Sequence, residues 1–104
     1  MAIGPARITF EQNSAALSAD ARAELDKMAQ AIVSGETGRM TLKAYTSTGG
    51  STSETRRMSL ARGLAVRSYL IDKGVPKEKI DLQALGNVGD AGPADRVDLL
   101  PGKS

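Results

Sequence analysis

The stretch "AYTSTGGSTSETRRMSLAR", Ala44 to Arg62, joins the end of an alternating segment to a basic helix through hydroxyls and glycines. Arg62 is its anion hook. It stands toward the more buried side of that helix, and a half-buried guanidinium requires an acidic partner or a carboxylate ligand. On residue type alone both remain open. The partner is one of the chain's own acids, such as Asp95 or Asp98, or a ligand at the mouth of the loop. Ser47 stands where a partner acid for Arg62 would be expected.

Other chemistries find little support. The chain has no His and no Cys, so the usual general base, nucleophilic triads, disulfides and Cys or His metal sites are missing. Its 12 acids, from Glu11 to Asp98, are scattered and mostly on solvent faces, with no spacing that suggests acid–base work or a metal. "TSTGGST" precedes a helix N-terminus and could receive an anion, but it lacks the lysine and the glycine spacing of a phosphate-binding loop. Nucleic acid is not expected. The net charge is only +2 with 3% aromatics, and Arg56, Arg57, Arg62 and Arg67 spread over more than one helix face. No enzymatic activity, cofactor or metal is expected.

The elements that position Arg62 follow from periodicity. "RITF" alternates, with Ile8 and Phe10 on one face. Ser18 is an N-cap, Asp20 favours the first turn, and Ala21, Leu25, Met28, Ala29 and Ile32 form a helical stripe ended by Gly35. "RMTLKAYT" puts Met40, Leu42 and Ala44 inward. The second helix begins near Ser51, which has capping-box spacing with Glu54. Ser59, Gly63, Val66 and Leu70 are its inward stripe, Gly63 marking close approach to a sheet, and Gly74 and Pro76 close it. "KIDLQAL" is a third strand with Ile80, Leu82 and Ala84 inward. "GNVGDAGPAD" is a loop, "RVDLL" a last strand with Val97 and Leu99 inward, and "PGKS" a frayed tail. The order strand, helix, strand, helix, strand, strand implies an α+β two-layer sandwich: a mixed sheet of about four strands with two main helices on one face.

The 104 residues suit one domain, 1–104, with an ordered core of about 7–99. No apolar run is long enough to span a bilayer and no signal peptide is present. Met1 followed by "AIGP" reads as a start placed on a piece of a longer protein, whose absent leader then says nothing.

"FEQNSAALS", "LKAYTSTGGS", "MSLARGLAVRSYLIDKGVPKEKI" and "DRVDL", in that order and spacing, resemble the OmpA-like domain family from about Arg7 to Leu99. The resemblance implies the same fold and a non-catalytic periplasmic anchor that binds the diaminopimelate of the peptidoglycan stem peptide. A helical Arg takes the carboxylate of this zwitterion and a strand-end Asp takes the ammonium. Carried over by position, Arg62 matches the helical Arg, Asn13 the Asn after the first strand, and Thr46 the Thr before the Asp. Thr55 stands at a helical Asn, and Arg96 matches an Arg of the last strand. At the position of the Asp itself stands Ser47. The chain also departs at Ala44, Gly63, Ala94 and Asp95, and in its short loop before the last strand.

The leading expectation is therefore a periplasmic envelope module that binds diaminopimelate through Arg62, Ser47, Asn13, Thr46, Thr55 and Arg96. The alternative is a degenerate domain that has lost this ligand and serves protein interaction or assembly. Asp95 decides between them: it replaces the lost charge, or it pairs with Arg62 and closes the site.

Overall fold

Ser18 caps the first helix as its spacing predicts, its hydroxyl accepting from the Ala21 amide at 3.0 Å. The computed structural model describes residues 5–11, 14–35, 38–46, 52–86 and 95–102. In these, β1 is Ala6–Thr9, α1 Ala19–Val33, β2 Arg39–Tyr45, α2 Thr52–Asp72, β3 Ile80–Gly86 and β4 Arg96–Gly102, with a 3-10 turn at Lys77–Lys79. The expected cap at Ser51 lies outside the described residues. Gly35 and Gly74 end the two helices at φ 86° and 102°, left-handed conformations that a side chain would strain.

The sheet runs β1-β4-β2-β3. β2 and β3 are parallel, and β4 pairs antiparallel with both β1 and β2. Alternation sets the two faces. Ile8, Met40, Leu42, Ala44, Ile80, Val97 and Leu99 are buried with Ala21, Leu25, Met28, Ala29 and Ile32 of α1 and Val66 and Leu70 of α2. This is the two-layer α+β sandwich expected. One detail differs at the C-terminus. Pro101 and Gly102 extend β4, opposite Met40 and Arg39, where fraying was expected. β1 reaches only as far as Leu99, so β4 has no β1 residue opposite Pro101, and the missing amide costs no ladder bond on that side.

Gly63 lies against Leu82: a Cβ there would run into the end of the Leu82 side chain. Gly63→Ala should be tolerated, since the leucine tip can swing aside and the helix gains about 1 kcal/mol of propensity. Gly63→Leu should cost about 1–3 kcal/mol by overpacking, read as a lowered urea midpoint.

The helices join through Tyr69, whose hydroxyl donates to Asp26 at 2.8 Å. That bond, more than the accompanying burial and the Asp26 charge, raises the Tyr69 pKa above the usual tyrosine range, and Lys73 partly opposes it. The folded pKa lies above the unfolded one. The contact's contribution is therefore complete below the unfolded value and lost as pH rises through the folded one. Absorbance titration should show one of the chain's 2 tyrosines ionising late, and Asp26→Ala should bring it back.

Candidate functional site

The inward stripe of α2 is polar in its first half and apolar in its second. Thr55, Ser59 and Arg62 are buried, followed by Val66 and Leu70. The polar half meets the C-terminal ends of β2 and β3. There the register slips, Ala44 facing Ala84 but Tyr45 facing Gly86, so Leu85 is an extra residue. The slip turns Gly86 toward α2 at φ 68°, where a Cβ would lie 3.3 Å from Thr55 Oγ1. The Gly86 amide donates to Ser59 Oγ at 3.1 Å, Ser59 donates to the Arg56 carbonyl, and the Gly86 carbonyl accepts from the Thr46 amide. Ser59→Ala leaves a buried amide without its acceptor and should cost about 1–3 kcal/mol in denaturant unfolding.

Arg62 is fully buried beside this clasp. Its Nε donates to the Ser14 carbonyl at 2.8 Å and its Nη2 to the Glu11 carbonyl at 2.9 Å. Its Nη1 donates both to the Tyr45 carbonyl at 3.1 Å and to Asp95 Oδ1 at 2.8 Å. The guanidinium carbon lies 5.3 Å from the centre of the Phe10 ring. One side chain of α2 thus ties together the β1–α1 connection, the end of β2 and the entry to β4. Asp95 is set in place by the ladder: the Phe10 amide donates to its carbonyl at 2.9 Å, continuing the β1–β4 pairing. Its side chain is 20% exposed, against 0% for Arg62, so the carboxylate and not the cation faces solvent.

Arg96 does not join Arg62. Alternation sends it to the opposite face of the sheet, where its guanidinium stacks 3.9 Å from the centre of the Tyr45 ring and its Nε donates to Asp98. Asp98 also accepts from Arg7 at 3.0 Å, so of the two acids open to Arg62 this one is engaged on the other face. Thr46 and Thr55 are buried beside the clasp. Asn13 and Ser47 lie outside the described residues. The signal that sequence reasoning missed is the set of backbone carbonyls around Arg62, which no residue type encodes, together with the role of Ser59, which read only as a small inward residue.

Chemically the site is a cation neutralised from within. Among the described residues no group of His, Cys, Asp or Glu could hold a metal ion.

The model of the OmpA family matches residues 9–96. The chain belongs to the OmpA family. A relative within it, the peptidoglycan-associated lipoprotein of Rhizobium meliloti (strain 1021), is 30% identical over 74 residues. That match takes in 71% of this chain and only 42% of the relative, so the chain spans about two-fifths of that protein. Two solved structures share the OmpA-like fold. The peptidoglycan-associated lipoprotein of Burkholderia pseudomallei superposes with a TM-score of 0.81 at 21% identity, over 92% of this chain and 89% of that one. The C-terminal domain of Helicobacter pylori MotB gives 0.80 at 17% identity, over 95% and 85%. At such identities these two likenesses speak to fold.

Proposed function

We propose that this OmpA-like domain is a non-catalytic module of the periplasmic cell envelope whose diaminopimelate hook is closed by its own Asp95. The Arg62–Asp95 pair, at 2.8 Å with the cation fully buried, carries the reading. A ligand carboxylate would have to displace Asp95 from Nη1 and leave that carboxylate beside its own charge. A hydrogen bond to a charged group is worth about 1.5–3 kcal/mol, so the contest lowers affinity by roughly ten- to a hundredfold. Ser47 adds no acid for the ammonium. The domain then serves interaction or assembly among envelope proteins, with weak or absent hold on peptidoglycan. Membership of the OmpA family and the name of the Rhizobium relative support the envelope setting. No described helix is long and apolar enough to cross a membrane.

The partial exposure of Asp95 favours a second reading, in which its carboxylate takes the ligand ammonium in place of Ser47. Co-sedimentation with purified sacculi separates the two. The first predicts no retention that free stem peptide can compete away. Retention abolished by free stem peptide would establish the second.

A further inference from the structure

β3 is the sheet's outer strand on one side, bonded to β2 alone among the described strands. Its regular part, Ile80 to Ala84, carries no Pro or Lys to guard the edge, and its charged residue, Asp81, is neutralised by Arg39 of β2. α2 lies along it. Tyr69 marks the flank of α2 that meets α1, and Gly63, at the far side of the inward stripe, touches Leu82. Helical spacing then puts Arg56, Leu60, Leu64 and Arg67 one step further round, overhanging the free side of β3. Leu60 and Leu64 are 41% and 42% exposed. Arg56 and Arg67 take part in no ion pair among the described residues, nor does Lys79 at the strand's entry.

A strand edge, an apolar pair and cations with no ion pair among the described residues therefore share one corner. Each narrows the occupant. The edge calls for a polypeptide backbone, the leucines for apolar side chains, and the cations for acids. A second copy fits poorly, because two α2 helices packed antiparallel about Leu60 and Leu64 would set Arg57 against its own counterpart's Arg67. We propose that this corner captures an extended acidic segment of a partner protein by strand addition to β3, acidic side chains meeting Arg56 and Arg67. The surface is separate from the Arg62–Asp95 site, so its failure would leave the reading of that site standing.

The probe is a short peptide alternating glutamate and valine, titrated into isotope-labelled protein. Saturable shifts at the amides of Asp81 to Leu85 and at the side chains of Arg56 and Arg67 are expected. A peptide with lysine in place of glutamate should produce none. N-methylation of the amides along one edge of the peptide should abolish binding, because it removes the backbone bonds. The Leu60→Asp, Arg67→Glu double variant should bind about tenfold or more weakly at an unchanged thermal midpoint. Equal binding of the lysine or N-methylated peptide, or shifts centred elsewhere, would overturn the proposal. So would silence at roughly millimolar peptide, which is weaker than any useful docking.

Discussion

Replacing Arg62 with Ala will cost the domain about 3–5 kcal/mol, a large part of the stability of a chain this size. The loss follows from what is left behind. The carbonyls of Glu11, Ser14 and Tyr45 lose their donor, and the carboxylate of Asp95 loses its counter-ion at 2.8 Å. Arg62→Lys should recover little, because a single ammonium cannot reach acceptors spread around a planar fork. Urea unfolding followed by circular dichroism measures both. A hook held ready for a ligand would behave otherwise: its truncation would move stability by no more than about 0.5 kcal/mol and show only in binding.

The second large effect is a gain. The double variant Ser47→Asp, Asp95→Asn should bind free diaminopimelate roughly a hundred- to ten-thousandfold more tightly than the native chain, the value of a charge-assisted bond of about 1.5–3 kcal/mol at each end. The Asp95→Asn change keeps an oxygen near Nη1 but withdraws the competing charge. The Ser47→Asp change restores the acid that the resemblance places there. Ser47→Asp alone should gain little, since Arg62 stays occupied by Asp95. Calorimetric titration of the native chain and the two variants reads the difference. Equal gain from the single substitution would mean that Asp95 does not obstruct the site.

Most of the scaffold was legible because its determinants are local. The Ser18 cap, the glycine stops at Gly35 and Gly74 and the stripes from Ala21 to Ile32 and from Ser59 to Leu70 each depend on neighbours a few residues away. Strand order was not legible, because pairing β4 between β1 and β2 depends on contacts far apart in the chain. Pro101 shows the same limit. It reads as an end signal, yet it belongs to β4 because β1 is short. At the site, residue types point to Arg62 and leave its partner open between a ligand and one of the chain's own acids, such as Asp95 or Asp98. They do not choose Asp95: the alternation that puts Val97 and Leu99 inward turns Asp98 to the other face, but whether Asp95, just ahead of β4, reaches Arg62 depends on a contact between segments far apart in the chain. Nor do they encode three carbonyl acceptors or the slip at Leu85 that delivers Gly86 to Ser59. The resemblance groups Arg96 with Arg62, and strand alternation separates them.

The most direct test watches the guanidinium itself. In protein labelled at arginine nitrogen, the Arg62 Nε–H bonded to Ser14 should exchange slowly with solvent and keep its shift as diaminopimelate is raised to roughly millimolar, the range of weak binding. A saturable shift of that Nε–H at far lower ligand, moving together with the Thr46 amide, would contradict a site closed by Asp95.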